Sequence, residues 1–169
     1  MTRLERTTHV CLIVVCVVSL GLLLERRFTP ARVGTARPVV ELADKRLDVP
    51  GMDWTKARLN TVLVLSTSCH FCKESTPFYR RLAEARRKQA TQVAFAAVSR
   101  ESAEQVKSYL AGERVVVDAA YQISGQPALN GTPTLLLIDS NGIVKRSYVG
   151  KLAPSQEEEV LNYVRHAAI

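Results

Sequence analysis

Two cysteines separated by two residues occur in the stretch Ser68-Cys69-His70-Phe71-Cys72-Lys73. The apolar, β-branched run Thr61–Ser66 comes directly before this stretch and is typical of a buried strand. Residues 73–88 follow, with apolar side chains at helical spacing and charged side chains on the opposite face, which predicts an amphipathic helix. The cysteine pair therefore lies where a strand ends and a helix begins, within the first helical turn.

The start of a helix favours a thiolate at Cys69. Backbone N–H groups in the first turn have no intrahelical partner, and the helix dipole is positive there. The thiolate is the form of cysteine that attacks disulfides. Cys72 lies one turn further along the same helix face, close enough to close a disulfide with Cys69. The pair therefore predicts thiol–disulfide chemistry.

A Cys-x-x-Cys pair can also be half of a structural zinc site, which needs two further ligands. The other cysteines, Cys11 and Cys16, lie in an apolar segment, and the other histidines are His9 and His166. These cysteines are part of that apolar segment and these histidines are far apart in the sequence, so a second ligand pair is not evident. The pattern thus favours redox chemistry over zinc, and we expect no metal at the site.

The N-terminal segment predicts a membrane anchor. Residues 7–24 contain no Asp, Glu, Lys or Arg, and Glu25-Arg26-Arg27 end the run. As a helix, this run would span about 27 Å, just enough for the hydrocarbon core of a bilayer. A cleaved signal sequence is the alternative, but no Ala-x-Ala cleavage signal follows closely. We expect a single-pass transmembrane anchor at 1–27, a linker at 28–38 and a folded domain at 39–169.

The chain is basic, with a formal net charge of +7 that is spread along the sequence rather than gathered in one tract. The basic residues between Arg80 and Lys88 are interpreted as a solvated helix face, with a docking surface for an acidic partner as the alternative. Aromatic residues make up 6% of the chain, too few for a base-stacking surface. We therefore expect no nucleic-acid partner.

Strands and helices alternate along the rest of the domain. The predicted elements are a hairpin of 39–42 with 47–49, a strand at 93–98, a helix at 101–110 capped by Ser99 or Ser102, a strand at 115–117, a strand at 134–138, a turn at Asp139-Ser140-Asn141-Gly142, a partner strand at 143–149, and a helix at 155–166 with Ser155 as its N-cap. This order predicts an α/β domain with a mixed central sheet and helices on both faces.

At this point the chain resembles the thioredoxin superfamily, and within it the membrane-anchored TlpA-like thiol–disulfide oxidoreductases. The resemblance covers residues 39–168. It is carried by Cys69-His70-Phe71-Cys72 at the strand–helix junction, by Pro77 five residues after the second cysteine, and by Gly131-Thr132-Pro133-Thr134 at the entry to a strand. It implies a thioredoxin-like fold, to which the N-terminal transmembrane helix is added.

The resemblance also implies roles for individual residues. Cys69 would be the attacking thiol and Cys72 the resolving thiol, so that the Cys69–Cys72 disulfide is redox-active and no other cofactor is needed. Pro133 would be a cis-proline opposite the motif, and the backbone of Thr132 would pair with an extended substrate. His70 and Phe71 would tune the site. An imidazole that stabilises the Cys69 thiolate makes the pair a stronger oxidant, so we expect a higher reduction potential than in cytosolic thioredoxins.

Three positions depart from the family pattern. Ser75 stands where TlpA-like members often carry Glu, Ser68 stands where a tryptophan commonly precedes the first cysteine, and Leu63 stands where thioredoxins have a buried aspartate. The acid that usually assists the resolving thiol is therefore not evident. Glu74 is the alternative, although its place on the charged helix face favours a solvated side chain.

These inferences together predict a membrane-tethered thiol–disulfide oxidoreductase that acts on protein thiols and disulfides and is recycled by a redox partner. We expect its domain to be extracytoplasmic, on the periplasmic or outer face of the membrane. The arginines that follow the anchor favour a cytoplasmic domain when they are counted alone. Long domains can be translocated despite such charge, so this count decides little.

Two other functions use the same residues. A copper-binding assembly protein would bind Cu(I) through Cys69, Cys72 and a distant histidine such as His166, since soft thiolates suit this ion. A thiol peroxidase is the second alternative. It is disfavoured because Val62 and Ser66 stand where such enzymes place Pro and Thr.

Overall fold

The computed structural model describes residues 42–89, 91–124, 129 and 131–167. These residues belong to the compact unit Gly34–Ile169. The anchor predicted at 1–27 and the linker predicted at 28–38 lie outside the described residues. Within the described part of the chain, no helix is both long enough and apolar enough to cross a membrane. The anchor therefore stays a prediction.

Five strands form a mixed central sheet, as the sequence predicts: β1 (Leu59–Val64), β2 (Val93–Ser99), β3 (Ala119–Gln122), β4 (Thr134–Asp139) and β5 (Val144–Val149). Their order across the sheet is β3-β2-β1-β4-β5. The neighbours β1 and β2 are parallel, as are β2 and β3, whereas β4 is antiparallel to both β1 and β5. The central strand β1 is buried along its whole length.

The described helices are α1 (His70–Glu74), α2 (Thr76–Arg87), α3 (Ala103–Gly112) and α4 (Pro154–His166), and a short 3-10 helix, Trp54–Lys56, precedes β1. Three of them pack on one face of the sheet, in a core that contains Phe78 of α2, Val106 of α3 and Val160 of α4. Leu42, Trp54 and other residues outside the four helices cover the opposite face.

Among the described residues, α2, α3 and α4 share one face of the sheet. The opposite face carries the short 3-10 helix that contains Trp54, whereas the sequence predicts longer helices on both faces. The chain moves from β1 to β2 and then to β3 in one direction across the sheet. Connections between parallel strands are right-handed, so two successive steps in one direction place α2 and α3 on the same face. The sequence pattern shows which segments are helical but not the order in which their strands pair.

The strand predicted at 115–117 is wrong, because the third strand begins four residues later, at Ala119. Asp118 determines this start: its backbone N–H donates to the Phe95 carbonyl and its carboxylate accepts from the Phe95 N–H, both at 2.8 Å. Val115 packs into the helix-covered core, whereas Val116 is 76% exposed. A run of three valines is thus a connection and not a strand.

The first strand of the hairpin predicted between 39–42 and 47–49 lies almost entirely outside the described residues. The described residues 44–47 pair with the segment at the start of β5, through an antiparallel bridge between Arg46 and Ile143. The N–H of Asp44 donates to the carbonyl of Val144 at 2.8 Å, and the N–H of Leu47 donates to the carbonyl of Gly142 at 2.9 Å.

The structure confirms one predicted helix cap and corrects another. Ser102 caps α3, as predicted, and its hydroxyl accepts from the Gln105 N–H at 3.2 Å. In contrast, α4 begins at Pro154 with Ala153 as its N-cap, so that Ser155 lies inside the first turn. Proline is favoured at the first helical position, and the Gln156 side chain supplies the cap by accepting from the Ala153 N–H at 3.0 Å.

Candidate active site

The two cysteines lie at the junction of β1 and α1, as the sequence predicts. Cys69 is the N-cap of α1, and its sulfur accepts a hydrogen bond from the Cys72 N–H at 3.2 Å. Cys69 is half-buried, whereas Cys72 is 1% exposed, and both are free thiols. One sulfur is therefore open to another molecule, and the second lies behind it in the core.

The helix that follows is interrupted, which corrects the single helix predicted at 73–88. α1 ends at Glu74, and α2 begins at Thr76 with Pro77 at its second position. Proline has no N–H to continue the hydrogen-bond ladder of α1. Ser75 lies at the break, where its N–H and its hydroxyl both donate to the Phe71 carbonyl, at 3.1 and 2.8 Å.

The loop before β4 faces the cysteine pair. The peptide bond between Thr132 and Pro133 is cis, as the resemblance implies. The Cys69 thiol donates to the Thr132 carbonyl oxygen at 3.4 Å. The Pro133 carbonyl accepts from the Gly150 N–H at 2.7 Å, which holds the loop against the segment after β5. Two stretches 63 residues apart in the sequence thus meet at the exposed sulfur.

Burial makes the Cys72 thiol harder to ionise. It raises the pKa of the Cys72 thiol to about 12, and hydrogen bonding and charge at Cys69 act in the same direction. The backbone of Ser66 and the side chain of Thr132 oppose this rise in the Cys72 pKa. Cys72 is therefore protonated at neutral pH in the dithiol form.

Comparison with known proteins gives matches at the level of structure. No family model matches the chain, and no match is found among curated proteins. A candidate thiol:disulfide interchange protein DsbE from Chlorobium tepidum is similar with a TM-score of 0.54 and 22% identity, over 74% of this chain and 94% of that chain. A thiol-disulfide isomerase from Corynebacterium glutamicum gives a TM-score of 0.55 at 14% identity, over 72% and 96%. A secreted disulfide oxidoreductase from Mycobacterium tuberculosis gives 0.50 at 13%, over 68% and 84%.

The chain has a thioredoxin-like fold. This agrees with the fold that the resemblance implies, including the mixed sheet with the cysteine pair at the carboxyl end of its central strand. The similar chains are covered over most of their length, so the domain includes nearly all of what they contain.

In this thioredoxin-like fold, the polar contact that the structure gives the His70 imidazole is with Glu74. The imidazole is 76% exposed and lies 3.0 Å from a carboxylate oxygen of Glu74. The other oxygen of Glu74 lies 2.9 Å from the ammonium of Lys151. Residues four apart on a helix are neighbours, which explains the pairing of His70 with Glu74. The expected effect of His70 on the reduction potential stays a prediction.

Glu74 is placed as a solvated helix residue. Its ion pair with Lys151 holds the pKa of the Glu74 carboxyl below its ordinary value, and His70 contributes in the same direction. Leu63, where thioredoxins carry a buried aspartate, is fully buried among apolar side chains. Among the groups that act most on the Cys72 pKa within the described residues, none is a carboxyl. The acid that the family usually carries near the resolving thiol is therefore not evident among the described residues either.

Phe71 is a large apolar side chain that lies exposed next to the thiols. It is 55% exposed, and its ring meets the His70 ring edge-on at 5.7 Å between centroids. Large apolar side chains at this exposure are unusual, and within the described residues only Val116 shares it. Phe71 thus forms an apolar rim beside Cys69.

One residue at the site was missed in the sequence. The Glu101 carboxylate accepts from the Ser66 hydroxyl at 2.7 Å and from the Thr67 N–H at 3.0 and 3.1 Å. The signal was present: Glu101 follows a strand parallel to the one that precedes the cysteines, and the carboxyl ends of adjacent parallel strands lie at one edge of a sheet. Its place at the start of a predicted helix favoured a solvated side chain instead.

Among the described residues, no group of three or more His, Cys, Asp or Glu side chains could hold a metal ion. His166, the candidate copper ligand, lies in the last turn of α4, with its Nδ1 atom 2.8 Å from the Asn162 carbonyl oxygen.

Proposed function

We propose that this protein is a thiol–disulfide oxidoreductase that exchanges disulfides with protein substrates through Cys69 and Cys72. One observation supports the proposal most directly. The Cys69 sulfur is accessible at the start of α1 and lies 3.4 Å from the carbonyl of Thr132 in the cis-proline loop, with the buried Cys72 thiol behind it. The solved structures with this fold include thiol:disulfide interchange proteins, which is consistent with the proposal.

In the reducing direction, the Cys69 thiolate attacks one sulfur of a substrate disulfide. A Cys69–substrate disulfide forms, and the other substrate sulfur leaves as a thiolate that takes a proton from water. Cys72 then loses its proton and attacks the Cys69 sulfur. The Cys69–Cys72 bond forms and the second substrate thiol is released, so that the substrate gains the two electrons that the cysteine pair loses. The oxidising direction is the same sequence in reverse.

The loop at Thr132 and the exposed ring of Phe71 would hold the substrate. The Thr132 carbonyl can accept a backbone N–H from an extended peptide once the Cys69 thiol no longer donates to it. Phe71 offers apolar surface to the residues next to the substrate cysteine. Both contacts depend little on the substrate sequence, so we expect a range of unfolded or extended clients.

A reduction assay with insulin tests the activity. The wild-type chain should accelerate the reduction of insulin by dithiothreitol, and Cys69→Ala should reduce this rate to background. Cys72→Ala should accumulate a mixed disulfide with insulin, which non-reducing gel electrophoresis and peptide mapping would locate at Cys69. Wild-type protein that does not reduce insulin, together with a Cys72→Ala variant that forms no mixed disulfide, would contradict the proposal.

We further propose that residues 1–27 tether the domain to a membrane, with the cysteine pair outside the cytoplasm. The uncharged run at 7–24 supports the tether. A protein of similar fold from Mycobacterium tuberculosis is described as secreted, which is consistent with an extracytoplasmic site. A reporter that is active only in the cytoplasm, fused to the C-terminus, should be inactive. An active reporter would overturn the orientation but leave the exchange activity open.

A further inference from the structure

Hydrogen bonds to the Glu101 carboxylate hold the loop that leads from β1 to the cysteine pair. These hydrogen bonds come from the Ser66 hydroxyl at 2.7 Å and from the Thr67 N–H, which reaches both carboxylate oxygens at 3.0 and 3.1 Å. Glu101 itself follows β2, and its own N–H donates to the Ser99 hydroxyl at 3.2 Å. The carboxylate therefore joins the ends of two adjacent parallel strands at the level of the thiols.

The loop residue that Glu101 holds is in contact with both cysteines. The Ser66 carbonyl accepts from the Cys69 N–H at 3.1 Å, and the Ser66 hydroxyl lies 3.1 Å from that of Ser68. The Ser66 backbone also opposes the rise in the pKa of Cys72. A shift of Ser66 would therefore move Cys69 and change the surroundings of Cys72 at once.

Glu101 is charged when it makes these bonds. Burial would raise the pKa of its carboxyl, but the hydrogen bonds from Ser66 and Thr67 outweigh burial and hold the pKa below its ordinary value. Hydrogen bonds to an ionised acceptor are about twice as strong as those between neutral groups. This contact is thus among the firmest constraints on the loop, even though Glu101 does not touch either sulfur.

We propose that Glu101 is a positioning residue for disulfide closure. It keeps the Cys69 sulfur at the distance from the Cys72 sulfur at which the disulfide can form. The inference rests on the proposed function. Closing the disulfide is an intramolecular step, and its equilibrium depends on how well the two sulfurs are held together beforehand. By holding the loop that carries Cys69, Glu101 therefore favours the disulfide.

The test measures disulfide closure against glutathione. In the reaction, the two thiols give up two protons and two electrons, the Cys69–Cys72 bond forms, and glutathione disulfide is cleaved to two glutathione molecules. The full chain should carry Cys11→Ala and Cys16→Ala, so that Cys69 and Cys72 are its only thiols. We expect Glu101→Gln to lower the closure constant about tenfold, which is a rise in reduction potential of ~30 mV for a two-electron couple.

Two further variants separate position from charge. Glu104→Gln removes the same charge from an exposed side chain in the first turn of α3, so its closure constant should stay within about twofold of the parent protein. Ser66→Ala removes one of the hydrogen bonds to Glu101 without changing the charge. We expect it to lower the closure constant about threefold, as the loss of one contact out of several should.

The outcomes distinguish this inference from the proposed function. If the parent protein never forms the Cys69–Cys72 disulfide in glutathione buffers, the proposed function fails. If it does, but Glu101→Gln closes as readily as the parent, only the positioning role is overturned. If Glu101→Gln does not fold by circular dichroism, Ser66→Ala decides, and an unchanged closure constant in that variant overturns the role.

Discussion

The two ends of the sheet differ in how they use their polar groups. At the hairpin end, which comprises Trp54 and the turn at 139–142, the Asp139 carboxylate accepts from two backbone N–H groups at 2.9 Å each. At the thiol end, which comprises the loop at 66–69 and Thr132, Cys69 keeps an accessible sulfur and the Phe71 ring is 55% exposed. The hairpin end uses its groups to close the fold, whereas the thiol end leaves groups available to another molecule. Substitutions at the two ends should therefore affect different measurements.

The largest expected effect is at the thiol end. Cys69→Ala removes the accessible sulfur, so insulin reduction should fall to the uncatalysed rate. The free energy of unfolding should fall by no more than about 1 kcal/mol, the usual cost of losing a helix N-cap. Activity assays and chemical denaturation measure the two quantities. A much larger loss of stability would show that the thiol end also holds the fold together, and the contrast would fail.

At the hairpin end, Gly142→Ala should reverse this pattern. Gly142 has a φ of +79°, and a Cβ atom there would lie 3.0 Å from two atoms of the Trp54 ring. The left-handed conformation alone costs an ordinary residue about 1–2 kcal/mol, so we expect a loss of about 2 kcal/mol with unchanged activity of the folded protein. The matched control is Gly112→Ala at the end of α3, where a Cβ meets nothing within 4 Å. That variant should be neutral or slightly more stable.

The loss of unfolding free energy at acidic pH should also depend on the hairpin end. Burial would raise the pKa of Asp139, but the N–H groups of Ile143 and Asn141 and the ammonium of Lys145 keep this pKa below its ordinary value. A group with a lowered folded pKa stabilises the fold above its unfolded pKa, and this contribution is lost as the pH falls through the folded pKa. Asp139→Asn should therefore lose less stability than the wild type between about pH 4 and pH 2. Parallel acid dependences in urea denaturation would contradict the assignment.

The hairpin end was the easier of the two to predict from the sequence. The apolar run at 134–138, the Asn141-Gly142 pair and the alternating residues that follow are local signals, and the structure has β4, the turn and β5 in these places. The cysteine junction was also local, since the apolar run and the helical spacing lie on either side of it. The cis-proline could be expected only from the resemblance, since cis bonds occur at about 5–6% of such positions.

The parts that the sequence did not reveal depend on contacts between distant residues. Glu101 meets the loop across 34 residues of sequence, because two parallel strands bring their carboxyl ends together. The start of β3 depends on Asp118 bonding to Phe95, which a run of valines does not indicate. The His70 imidazole lies 3.0 Å from a carboxylate oxygen of Glu74, a pairing that the Cys-x-x-Cys pattern does not indicate. Local patterns locate elements, but they do not determine which partner a polar side chain selects.

The smallest expected effect tests a buried polar group near the thiol end. The Tyr79 hydroxyl is buried and has no partner at hydrogen-bond geometry among the described residues, although the nearby Ser75 hydroxyl opposes the rise in the Tyr79 pKa that burial causes. An unpaired buried hydroxyl costs stability, so Tyr79→Phe should raise the free energy of unfolding by about 0.5–1 kcal/mol. Thr55→Val is the contrasting control. It removes a hydroxyl that donates to Asp53 at 2.7 Å, so it should not raise the free energy of unfolding. A loss of stability in Tyr79→Phe would mean that the phenol bonds to an ordered water, and polar groups at the thiol end would then be as fully paired as those at the hairpin end.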